Sequence, residues 1–132
     1  MDSQAAASAY REEAFENAPP LKIVRLMYQG ALRFIDAALQ CDADDPGSNF
    51  VHQVGRADAV VCELRLALDT TQAPEVAQNL ERLYLYVESL LQRALIERST
   101  DQLPAARAVL VTLLEAWTEV ELDSGSAATG AA

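Results

Sequence analysis

Between Pro20 and Gln40 the polar side chains Lys22, Arg25, Gln29, Arg33, Asp36 and Gln40 recur at spacings of three and four. At about 100° per residue they fall on one stripe roughly 80° wide, and almost everything else around the cylinder is apolar. A strand would scatter the same residues over both faces, so the segment is a helix, and one this apolar stays in water only when neighbours cover it on more than one side.

The neighbours follow at once. Helix one is expected from about Pro20 to Ala43, entered through Pro19-Pro20, which suit a helix start because the missing N–H would be unpaired there anyway. It stops before "DDPGSN", a run of turn chemistry that offers Ser48 or Asn49 as the next N-cap. Helix two covers about Phe50 to Asp69, with a core stripe of Phe50, Val54, Ala57, Val61, Leu64 and Leu68. After "TTQAP", helix three runs from about Pro74 to Arg98 with Val76, Leu80, Leu83, Val87, Leu90 and Ala94 on one face. "RSTDQLP" is the third break, and helix four, from about Asp101 to Leu122, aligns Leu103, Ala106, Leu110, Leu114 and Trp117.

Four helices joined by short loops must lie beside one another, so the fold expected is all-α, an antiparallel four-helix bundle over residues 18–122. Residues 1–17 carry only Tyr10 and Phe15 as large apolar groups, too few to hold a helix on a core, and are expected as a mobile arm with two anchors. Residues 123–132, "DSGSAATGAA", are small and Gly-rich and are expected as a disordered tail.

A chain of 132 residues with 51% hydrophobic residues is one domain with enough material for a core. Its formal charge of −10 argues against nucleic acid and against an anionic membrane surface, both of which draw affinity from clustered Lys and Arg. Cys41 and Cys62 lack CxxC spacing, and the N-terminus lacks the basic and long apolar regions of a secretory signal, so a cytoplasmic protein with reduced thiols is expected. No apolar run approaches the roughly 20 residues that a bilayer demands.

Catalysis has little to stand on. His52 is the single histidine, which leaves no His pair for a metal and no visible nucleophile–base pair. The carboxylate pairs Glu119/Glu121 and Asp44/Asp45 lie in polar sequence and read as solvated surface charge. Neither a cofactor nor a metal is expected, nor an enzyme.

What remains is surplus apolar surface. On helix two, Gly55, Ala59, Cys62 and Leu66 form a second face, displaced roughly 100–160° from the core stripe and separated from it by Asp58, Arg65 and Asp69. Helix three has a side stripe of Ala77, Tyr84, Leu91 and Leu95, with Leu85 and Ile96 further round. In a bundle a face half a circumference wide is also ordinary core, and both readings of that stripe stay open. Tyr28, Tyr84 and Tyr86 sit among aliphatics, which suits an interface and a core edge equally.

Taken in order, Tyr10, Phe15, "NAPPLKIVRLMYQGALRFIDAA", "RADAVVCELRLALD", "VAQNLERLYLYVESLLQRA" and Trp117 resemble the FliS-type flagellin export chaperones, from Tyr10 to Trp117. The resemblance implies a cytosolic helical bundle that binds the disordered C-terminal segment of flagellin, prevents premature polymerisation and escorts it to the flagellar export apparatus. Tyr10 matches the family's arm tyrosine, and in that family the arm can lie over part of the client groove. Where the family starts helix one with Ser-Pro and acidic residues, this chain has Pro19-Pro20 and Leu21-Lys22, so no side chain caps the helix and a lysine sits at the positive end of its dipole.

The client-binding set expected on these grounds is Tyr10, Phe15, Leu26, Tyr28, Gly55, Ala59, Cys62, Leu66, Tyr84, Leu91 and Leu95. Its partner is the flagellin C-terminal segment, with the flagellar export gate as a further candidate and the protein itself a monomer or weak homodimer. The competing reading is a helical adaptor whose spare stripes pair with copies of itself.

Overall fold

The computed structural model describes Ser3, Ala5 and residues 21–71 and 73–130, with residue 121 and residues 123–130 described in backbone only. Four long helices account for most of them: α1 (Leu21–Leu39), α2 (Phe50–Leu66), α3 (Pro74–Glu97) and α4 (Leu103–Gly130). Among the described residues there is no strand.

Each helix packs on two others in a ring, α1 against α2 and α4, and α3 against α2 and α4, while the diagonal pairs stay apart. Contacts run antiparallel. Asp36 late in α1 meets Arg107 early in α4, and Tyr28 earlier in α1 meets Trp117 later in α4. The fold is therefore the all-α antiparallel bundle the sequence predicts.

The helix ends have local causes. Leaving α1, the chain tightens through Gln40 N–H to Ala37 O and Cys41 N–H to Ala38 O, so the helix ends at Leu39 rather than Ala43. Asp42 and Asp45 then each accept a backbone N–H two residues on, at 3.0 and 2.8 Å, building two Asx turns. Ser48 Oγ receives the Phe50 N–H at 3.4 Å, whereas the Asn49 side chain makes no cap bond. α3 begins on Pro74 and is bounded by Ala73 and Arg98, both non-glycine residues in the left-handed region at φ 42° and 49°. At Arg98 the chain reverses with Ser99 N–H bonded to Ala94 O, the six-to-one bond of a Schellman ending.

α2 closes at Leu66, three residues before Asp69, yet Leu68 still rests half-buried on the core. α4 keeps helical backbone to Gly130, past the Leu122 where its apolar pattern ends. From Asp123 on the sequence has no large apolar residue, so this stretch is helical by intramolecular hydrogen bonding and alanine content rather than by anything it could bury. The expected arm lies outside the described residues except for Ser3 and Ala5, which are helical.

The core follows the predicted stripes with two shifts. Phe50, Val54, Ala57, Val61 and Leu64 of α2 and Val76, Leu80, Val87 and Ala94 of α3 are buried as their spacing requires. Leu83 is only half-buried, and on α4 it is Leu113 that is fully enclosed, with Leu114 half-buried beside it. Both shifts arise because α3 and α4 present one more face to the ring than a single stripe describes.

Candidate functional site

Three residues expected at a binding surface are interior instead. Tyr28 and Leu91 have no exposed surface and Tyr84 retains 2%. Across the bundle diagonal the Tyr28 and Tyr84 hydroxyls share a hydrogen bond of 2.6 Å, and Trp117 Nε1–H donates to Tyr28 Oη at 2.9 Å. The tyrosine rings meet at 6.4 Å and 44°. A phenol can be buried once its hydroxyl is paired, and three elements supply that pairing here. Burial pushes the Tyr28 phenol well above its ordinary value, with Tyr84 adding to the rise, so it stays neutral. The side stripe of α3 is core over Ala77, Tyr84 and Leu91, and Leu95 is half-buried against it.

The second face of α2 is real surface. Leu66 is 70% exposed, Ala59 is exposed, and Gly55 and Cys62 are half-exposed. A Cβ built on Gly55 would meet nothing within 4 Å, so the backbone there borders open space. Val51 on the same helix and Leu85 and Ile96 on α3 extend the exposed apolar area, as does Leu26 with Ile23 on α1. Both cysteines are free thiols; Cys41 Sγ donates to Ala37 O, and Cys62 Sγ accepts from Arg65.

Beneath the α2 face runs a polar seam. Arg65 donates from Nε to Glu88 Oε2 at 2.6 Å and from Nη2 to Oε1 at 3.2 Å, a two-pronged pair in which the carboxylate side chain is 7% exposed. The guanidinium is held further above its ordinary value by that carboxylate. Asp58, two turns earlier, is bonded by Gln92, but its Oδ1 is buried without a hydrogen-bond partner. Burial first, and then the nearby Glu88 charge, raise the Asp58 carboxyl above its ordinary 3.8. The sequence presents Asp58, Arg65 and Asp69 as a divider between faces; the seven-residue spacing of Asp58 and Arg65, which sets both on the α3 side, was the signal that two of them reach a partner.

A third feature lies between α3 and α4. Leu83, Ala108, Val109, Thr112, Leu113 and Ser3 line a mostly apolar cleft of about 240 Å³. The sequence pattern points to none of it, because Leu83 reads as core and neither Ala108 nor Thr112 belongs to the apolar stripe of the fourth helix. Tyr10 and Phe15 lie outside the described residues. His52 is exposed, and no group of three His, Cys, Asp or Glu among the described residues could hold a metal. Among them, too, no helix is long and apolar enough to cross a membrane.

Comparison with known proteins bears on what these surfaces serve. Residues 2–124 match the family described as flagellar protein FliS. The chain is similar to the flagellar secretion chaperone FliS of Campylobacter jejuni, 32% identical over 120 residues that span 91% of this chain and 94% of that one. It is also similar to the flagellar secretion chaperone FliSB of Pseudomonas aeruginosa, 28% identical over 106 residues, 80% of this chain and 84% of that one.

Proposed function

The chain belongs to the flagellar protein FliS family, and on that premise we propose that it is a cytoplasmic export chaperone that binds the disordered C-terminal segment of flagellin. Binding withholds that segment from polymerisation and delivers it to the flagellar export apparatus, where the export gate is a second contact. No bond is made or broken, and the function asks only for a surface that trades water for a client. The observation that carries the reading is the match of residues 2–124 to the flagellar protein FliS family, together with the similarity to two proteins named as secretion chaperones.

The α2 face supports it physically. An amphipathic helix laid on Gly55, Ala59, Cys62 and Leu66 can approach closely because three of the four are small, with Leu66 as the exposed anchor. A net charge of −10 opposes pairing with a second copy, so a monomer binding one client is the form expected.

Titration with a flagellin C-terminal peptide, followed by sedimentation, is the direct test. A monomer taking up one peptide is expected; self-association untouched by peptide sinks the reading in favour of a self-pairing adaptor. Two variants locate the face. Leu66→Glu leaves melting nearly unchanged and weakens the peptide ten-fold or more, a factor that needs only about 1.4 kcal/mol. Leu91→Glu, which places a carboxylate where a side chain has no exposed surface, unfolds the bundle.

A further inference from the structure

The outer face of α1 has no part in the function proposed above, and its charge runs against that of the molecule. α1, with the Arg56 that α2 lays beside it, holds Lys22, Arg25, Arg33 and Arg56 against one acid, Asp36. Four cations and one acid make +3, which leaves −13 for the rest of a chain whose total is −10. Asp36 is already engaged, since Arg107 reaches it from α4 at 2.8 Å. Acidic residues outnumber basic ones twenty to ten, and Arg65, Arg93 and Arg107 each pair with one. Lys22, Arg33 and Arg56 pair with no carboxylate among the described residues. Glu63, two turns beyond Arg56 on the same stripe of α2, lowers the field at that end without reversing it.

The two arginines rest on apolar supports. Arg56 sets its guanidinium over the Phe34 ring, 5.4 Å from the centroid. Arg33 lies back along its own helix, its Nη2 3.7 Å from where a Cβ on Gly30 would stand. Both side chains are exposed, so their N–H edges remain open to solvent in a fork that loses little freedom on binding. Beside them Ile23 is 47% and Leu26 44% exposed. Lys22, Leu26 and Arg33 follow one another at four and seven residues and so share one stripe, about 16 Å long. The first turn of α1 contains no acidic residue, and Lys22 adds its charge to the positive end of the helix dipole. An anionic group laid against that end offsets the cost of the arrangement.

We propose that this face docks an acidic amphipathic helix of a second protein partner, distinct from the flagellin segment. Its aliphatic side chains sit on Ile23 and Leu26; Arg33 and Arg56 take its carboxylates at one end and Lys22 at the other. The partner uses none of the α2 residues on which the client is laid, and the surface does not depend on the chaperone reading. A lipid surface also favours cations beside aliphatics, but a broad anionic plane meets the remaining −13 as well as the +3, whereas a helix meets only the stripe.

Panning a display library of helical peptides, randomised along one face, against the full chain tests the proposal without assuming the partner's sequence. Wild type is expected to enrich peptides that carry Asp or Glu three or four residues from Leu or Ile. Their affinity is expected to fall about ten-fold in Arg33→Glu/Arg56→Glu and in Leu26→Asp, with melting nearly unchanged because all three positions are exposed. Arg33→Lys/Arg56→Lys, which keeps the charge and loses the fork, is expected to fall between. Enrichment of nothing, enrichment of neutral or basic peptides, or acidic peptides that bind the Glu variant as well as wild type each overturn the proposal. Three further measurements on the same variants decide between occupants. Lost affinity for a flagellin C-terminal peptide gives the face to the client, loss of a sedimenting dimer gives it to a second copy, and lost flotation with phosphatidylserine vesicles gives it to a lipid surface. Any of these outcomes overturns the second partner.

Discussion

Tyr28 has two polar partners, and they are not equivalent. Trp117 Nε1–H can only donate, so removing the Tyr28 hydroxyl leaves an indole N–H buried without its acceptor. The cost of such an orphan is about 1–3 kcal/mol. Tyr84→Phe leaves Tyr28 still accepting from Trp117 and gives up one neutral hydrogen bond, about 0.5–1.5 kcal/mol. Denaturant unfolding of the two variants is therefore expected to rank Tyr28→Phe as the more destabilised; equal losses would mean that the network is not centred on Tyr28. The same residues mark how far the sequence alone was legible. Spacing placed Tyr28 and Tyr84 among aliphatics but could not tell rim from core, because the deciding group is an indole 89 residues away whose hydrogen bond exists only after folding. Leu66 was legible, since nothing in its own helix shielded it and the structure leaves it 70% exposed.

At the scale of the elements, periodicity and turn chemistry located all four helices and most of the core faces, with errors gathered at the ends. α2 stops short because Asp69 spends its carboxylate on Thr71 in the next turn, a competition that a hydrophobic stripe does not register. The wide side face of α3 turned out to be core because α3 packs against both α2 and α4, and ring order is not written in any single helix. The α2–α3 seam gives a pH-dependent expectation. The folded chain holds the Asp58 proton to higher pH than the unfolded chain does, so folding is penalised at neutral pH, where both states are ionised. That penalty fades as pH falls through the raised value towards 3.8. Asp58→Asn keeps an acceptor for Gln92 and removes the charge beside Glu88. Its melting temperature is expected to exceed that of wild type at pH 7, with the gap closing by about pH 4; a gap that is constant or widens on acidification refutes the assignment.

For the molecule as a whole, the dominant electrostatic fact is an excess of ten negative charges. Two of the ion pairs, Arg93–Glu97 and Arg107–Asp36, are well exposed and contribute little, because water screens them and each must hold two long side chains in one geometry. Salt weakens these slightly but screens the summed repulsion over distances beyond about 8–10 Å, and Arg65–Glu88 is too enclosed to respond strongly. Repulsion outweighs the exposed attractions at this net charge, so raising sodium chloride from about 10 to 150 mM is expected to raise the melting temperature; a fall would show that attractive pairs dominate. The ring arrangement has a temporal consequence as well. Three of its four seams join helices consecutive in the chain, which can find each other as hairpins with little loop-closure entropy, whereas the α1–α4 seam must close across the whole bundle. Trp117, the single tryptophan, bonds to Tyr28 across that last seam. Its fluorescence thus reports the final event of assembly rather than the first, and in a refolding experiment helical signal should be well established before the indole emission shifts.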